Sequence, residues 1–198
     1  MAETLETGPT ARGRAKAERR TALLTSAAHL FATRGFDGVS LEDLGASVGI
    51  SGPAVYRHFA SKQAVLAALL VGVSEGLLVG GRSVAQDAED DSAALRALVR
   101  FHIDFALREP DVIRVQDRDL AALSTQDRES VRDLQRRYVD LWVDVLHRLS
   151  PSTDRAELRL RAQATFGLLN STPHSARSVS MSRTRALLQE MALAALGS

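Results

Sequence analysis

Residues 49–62 read GISGPAVYRHFASK. Three helix breakers, Gly49, Gly52 and Pro53, stand directly against a helix-compatible aromatic and basic run, Tyr56, Arg57, His58 and Phe59. Glycine adopts the positive backbone angle of a tight turn without steric cost. Ser51 occupies a position where a side-chain oxygen can cap a helix. Pro53 falls in that helix's first turn, where a missing N–H costs nothing. The spacing predicts a turn at Gly49 and a helix running through Phe59.

The flanks complete a pattern. Upstream, Ser40 with Asp43 three residues on forms a capping-box signature for a short helix that stops at Gly49. Two short helices joined by a glycine turn make a helix-turn-helix. Before them, Leu23, Leu24, Ala27, Ala28, Leu30 and Phe31 recur at helical spacing from Glu18 to Arg34, and Gly35 follows as a C-terminal cap. After them, Ser61 caps a helix expected to reach about Val79. Gly72, Gly76 and Gly80 recur on it every fourth residue. They read as close packing against the body, or as points where the helix can bend.

Helical periodicity continues over Leu95 to Phe105 and, most clearly, over Val131, Leu134, Tyr138, Leu141, Trp142, Val145 and Leu149. It returns over 154–171 and 182–196. No segment alternates apolar and polar residues as a strand would. The fold class is all-α, with about nine helices. Residues 1–16, lacking periodicity, read as a flexible arm.

Composition narrows the function. Cysteine is absent, which removes disulfides and thiolate metal sites. The N-terminus has no apolar signal core, and the run Ala64 to Val73 is short for a bilayer, so a cytoplasmic location with no membrane partner is expected. Residues 1–62, 63–151 and 152–198 carry net charges of +2, −4 and +3. Five of the cations lie within residues 12–20. A basic end on an acidic body suits a polyanion.

Double-stranded DNA is the polyanion that a helix-turn-helix fits. Gly52, Pro53 and Ala54 keep the second helix slim enough for the major groove. Arg57 can read a guanine edge through two hydrogen bonds, while Tyr56, His58 and Lys62 suit phosphates, as do the N–H groups beside Ser51.

The residues Phe31, Gly35, Phe36, Val39, Ser40, Leu41, Leu44, Ala46, Val48 to Ser51, Tyr56, His58, Phe59, Lys62 and Leu66 resemble, in order and spacing, the N-terminal domain of TetR-type transcriptional regulators. The resemblance spans about residues 18 to 66. It departs at Ser40, where the family has Thr, at Pro53, where it has Gly, and at Gly45, where Ala is usual. By helix propensity, Gly45 should weaken its helix by up to about 1 kcal/mol. The resemblance implies a DNA-binding domain over 17–64, with Ser40 among its DNA-facing residues, and a ligand-binding and dimerisation domain over 65–198. It also implies a homodimer, built by the helices at 154–171 and 182–196. The dimer is expected to act as a repressor released from a palindromic operator by a small hydrophobic effector. The run 136–149, RRYVDLWVDVLHRL, is similar to family members that govern lipid catabolism, which makes an acyl-coenzyme A or lipid metabolite the candidate effector.

Candidate ligand-binding residues are Phe101, Phe105, Arg114, Tyr138, Trp142, Phe166 and Asn170, with His102, Gln116, Asp117 and His174 as further polar groups. No cofactor or metal site is expected. The five histidines are scattered, and no zinc, nucleophile-elbow, P-loop or dinucleotide motif occurs, so an enzyme is not expected. The alternative to a specific regulator is a helical interaction or architectural protein that binds DNA without sequence preference.

Overall fold

The computed structural model describes residues 11–175 and 179–197, and every regular element among them is helical. Helix α1 runs Ala11–Arg34 and ends at Gly35, whose φ is +80°. Residues 11–16, expected in the arm, are instead the first turns of α1, and residues 1–10 lie outside the described residues. Ala11, Arg12, Arg14, Ala15 and Lys16 are strong helix formers, and they outweigh the single Gly13.

Helix α2, Leu41–Ser47, starts with the capping box. The Asp43 N–H donates to Ser40 Oγ at 3.0 Å, and the Ser40 N–H donates to an Asp43 carboxylate oxygen at 2.8 Å. The Ser40 N–H, and then the Ser40 hydroxyl, which donates to the same carboxylate oxygen at 2.8 Å, hold the Asp43 carboxyl below the usual carboxylate range. Gly49, at φ +69°, makes the turn. Helix α3, Gly52–Val55, is shorter than expected: it passes into turn at Tyr56, and Phe59 closes back on Val55 through its N–H at 3.0 Å. Phe59 is drawn into the core, which bends the chain off the helical path. Ser51 stands at the N-cap position, but its side chain makes no capping bond.

Gly45 has a reason that propensity hides. A Cβ there would lie 2.8 Å from the Ile50 carbonyl oxygen and 3.1 Å from Val55 Cγ2. The glycine lets α2 and α3 pack backbone to side chain.

Helix α4, Lys62–Gln86, is capped by Ser61 and outlasts the expected end at Val79. It is, among the described residues, the one helix long and apolar enough by length and composition to cross a membrane, so the short-run expectation does not hold for it. Its apolar side chains have partners inside the protein. Val65, Leu66, Leu69 and Leu70 join the core built by α1, α2 and α3, and Leu78 joins the core of the body.

The body consists of α5 (Asp91–Arg108), α6 (Pro110–Asp119), a 3-10 turn (Leu120–Ala122), α7 (Thr125–Leu149), α8 (Arg155–Leu169), the single turn α9 (Thr172–Ser175) and α10 (Met181–Leu196). Val112 and Val115 of α6 pack into the N-terminal core, so the two halves share a continuous apolar seam. The glycines of α4 divide by role. A Cβ on Gly80 would strike Phe101 at 2.4 Å, and one on Gly81 would strike Tyr138 at 2.6 Å, as close packing requires. Gly72 and Gly76 face open space, so packing does not explain them.

Candidate DNA-reading face and ligand cavity

The turn at Gly49 and the core anchors Val55 and Phe59 aim α3 outward. Tyr56 is 56% exposed, and Ser51, Pro53 and Arg57 are exposed beside it. Ala54 and His58 are half-buried. Gly52 is buried with its Cα against Glu42, where a Cβ would meet the Glu42 side chain at 3.0 Å. The Ser40 hydroxyl is engaged with Asp43. Lys62 does not join the outward set: its ammonium donates to the Phe36 carbonyl at 2.8 Å and lies 4.4 Å over the Phe36 ring.

Helix α1 adds cations from the basic stretch at residues 12–20. Arg20 donates to the His58 carbonyl at 3.0 Å and lies 4.2 Å over the Phe59 ring. Burial, and then the positive charges of Lys16, Arg19, Arg20 and Arg57, hold the His58 imidazole below its usual pKa. One histidine thus senses four cations from two elements. The spacing of Lys16, Arg19 and Arg20, three and four apart on one helix face, was the available signal.

The body carries a partly open cavity of about 200 Å³ between α4, α5, α6, α7 and α8. Of the seven candidate ligand residues, it brings together Phe105, Tyr138, Phe166 and Asn170. Trp142 is fully buried beside it, its ring 4.8 Å from that of Phe166. Phe101 lies against Gly80 and lines a larger open groove, of about 500 Å³, between α1, α4 and α5. Leu77 and Phe105 are walls of both spaces. Arg114 is not in the cavity. It pairs with Asp111 at 2.8 Å and donates to the Pro173 carbonyl at 2.9 Å, because the helical step that turns Ile113 and Gln116 inward turns Arg114 toward α9.

His102 is the centre of the cavity's polar side. Its Nε2 meets Asn170 Oδ1 at 3.0 Å, and its Nδ1 faces the Tyr138 hydroxyl at 3.4 Å. With the Asn170 oxygen accepting, Nε2 carries the hydrogen. Burial lowers the His102 pKa to about 4, only partly offset by the Asn170 bond, so the ring is neutral at neutral pH. Burial likewise pushes the Tyr138 phenol up. Gln116, Gln135 and Ser74, whose hydroxyl donates to the Leu70 carbonyl at 2.8 Å, complete the polar lining. Of the other polar groups weighed from sequence, Asp117 and His174 lie outside this lining.

Comparison with known proteins finds likeness over both halves of the chain. Residues 23–69 match the family of bacterial regulatory proteins, tetR family, and residues 88–174 match the tetracyclin repressor-like C-terminal domain. The chain is 29% identical over 132 residues to the HTH-type transcriptional repressor KstR2 of Rhodococcus jostii, a stretch covering 66% of this chain and 65% of that relative. A TetR-family transcriptional regulator from Bordetella parapertussis superposes with a TM-score of 0.80 over 89% of this chain and 93% of its own, at 23% identity. AibR, solved in complex with isovaleryl coenzyme A and operator DNA, superposes with a TM-score of 0.72 over 89% of this chain and 97% of its own, at 20% identity.

Fold and matched regions together define a helix-turn-helix DNA-binding regulator with a helical ligand-binding domain. The chain belongs to the TetR family of transcriptional regulators, whose members bind DNA and small-molecule effectors, typically as homodimers.

Proposed function

We propose that this protein is a homodimeric repressor that leaves a palindromic operator when a small hydrophobic effector enters the cavity lined by Phe105, Tyr138, Phe166 and Asn170. The observation that carries this reading is the convergence of Lys16, Arg19, Arg20 and Arg57 around His58, beside the exposed tip of α3. Residues 17–64 form the reading module, and residues 65–198 sense the ligand and dimerise. Arg57 reads bases. Tyr56, Ser51 and the α1 cations hold phosphates. The protein works in the cytoplasm, where its DNA is.

A second copy is needed to place two reading tips one DNA turn apart. Its seat is the face of α8 and α10, where Leu160 is 65%, Met181 60% and Met191 50% exposed. Ala164 and Gly167 are exposed on the same helix as Leu160 and allow close approach. The repressor role is supported by likeness to KstR2. An acyl-coenzyme A or lipid effector is supported by the AibR complex. The 200 Å³ cavity fits an acyl group and not a nucleotide, which would extend into the adjoining open groove.

The test is an electrophoretic shift with the DNA upstream of the chain's own gene, at fixed salt. The reading requires a preference for a palindrome of about 10³-fold or more over random DNA. Equal binding to all sequences would point instead to an architectural protein.

A further inference from the structure

We infer that the inner cavity accepts only an uncharged ligand fragment, a single ring or a short branched chain carrying one carbonyl or hydroxyl oxygen, and excludes the corresponding carboxylate. The inference rests on reading this cavity as the effector site. It goes further by naming what the site can tell apart: a ketone, alcohol or thioester from the free acid.

Size sets the first limit. An apolar cavity of about 150 Å³ holds benzene. The 200 Å³ here admits one ring with a few further atoms. Aromatic and aliphatic walls, Phe105, Phe166, Leu77, Ile113 and Val139, hold the carbon part.

Charge sets the second limit. No Lys, Arg, Asp or Glu is among the lining residues described. The cationic candidate from the sequence, Arg114, is bound elsewhere by Asp111 and the Pro173 carbonyl. His102 offers no positive charge, because burial keeps the ring neutral, and its Nε2 is engaged with Asn170 at 3.0 Å. A carboxylate there would have no counter-charge, and neutral donors alone offset its desolvation poorly.

The available hydrogen-bonding groups suit a neutral oxygen. The Tyr138 hydroxyl makes a long 3.4 Å contact to His102 Nδ1. The carboxamides of Gln116 and Gln135 line the same space, and among the described residues no hydrogen bond engages them. Each can donate to a carbonyl or pair with a hydroxyl.

The experiment compares 4-methylacetophenone with 4-methylbenzoate, which match in shape and differ in charge. Calorimetry on the full chain gives affinities. Trp142, the only tryptophan, reports location by its emission, since its ring abuts Phe166. The ketone is expected to bind and to change Trp142 emission, with the carboxylate at least about 100-fold weaker. Gln135→Lys, at a half-buried lining position, is expected to narrow that ratio below tenfold by supplying an ammonium. A carboxylate within tenfold of the ketone on the unaltered chain overturns the inference. So does a ketone that fails to bind or leaves Trp142 unchanged, or a Gln135→Lys ratio that stays the same. Operator binding without any probe is measured separately, so failure of the regulatory reading and failure of this selectivity are distinguishable.

Discussion

Arg118, on α6, donates both terminal guanidinium nitrogens to the end of α1: one to the Phe31 carbonyl and one, at 3.3 Å, to the Ala32 carbonyl. The same guanidinium pairs with Asp119, whose side chain is only 9% exposed. The C-terminal end of a helix favours a cation, and the Phe31 carbonyl accepts from Arg118 as well as from the Gly35 N–H. Helix α6 also lines the candidate ligand cavity through Ile113 and Gln116. One short helix therefore touches both the cavity and the helix that precedes the DNA-reading turn.

That contact makes Arg118 a testable link. Arg118→Gln is expected to lower stability by about 1–3 kcal/mol, because Asp119 is left buried without its partner. It should leave DNA affinity within a few-fold when no effector is present, and reduce effector-driven release. Denaturant titration and gel shifts with and without effector measure the three quantities. Normal release from a destabilised variant would place the coupling elsewhere.

The reading face predicts two different losses. Arg57→Ala is expected to cost about 1–3 kcal/mol on the operator and to relax preference at one base position. Arg19→Ala should weaken all sequences alike and reduce the salt slope by about 1. Binding to a panel of singly altered operators at several salt concentrations separates them. A uniform loss for Arg57→Ala would reassign it to phosphate.

Gly45→Ala opposes propensity to packing. Helix propensity alone favours alanine by about 1 kcal/mol. The Ile50 carbonyl oxygen, 2.8 Å from the new Cβ, belongs to the backbone and cannot swing aside. Overpacking of this kind costs about 1–3 kcal/mol. The variant should therefore melt below the parent, and a higher melting temperature would show that the α2–α3 contact is looser than described.

His102 gives stability a pH dependence of definite sign. Its folded pKa, about 4, lies below the ordinary value of 6.5, so the unfolded chain binds the extra proton between them. The contribution is fully present above pH ~6.5 and is lost as pH falls toward ~4, on the order of 3 kcal/mol. Urea titrations of the parent and His102→Gln across that window isolate it by difference. Parallel curves would mean that the ring is hydrated in the folded state.

The helix-turn-helix was legible in the sequence because its causes are local. A cap bonds three residues on, as Ser40 does with Asp43, and a turn needs a positive φ at one residue, as Gly49 supplies. The spacing of apolar residues fixed the long helices for the same reason. Local rules misjudged the ends of α1, α3 and α4, where neighbours in space settle how far a helix continues. Only tertiary packing decided the sites. It set His102 against Asn170, 68 residues away, and Arg118 against Phe31, 87 residues away. It also drew Lys62 onto Phe36 and turned Arg114 away from the cavity. Helical periodicity says which face of a helix is apolar. Which apolar face closes around a void, and which polar group is left facing into it, depends on how the helices are stacked.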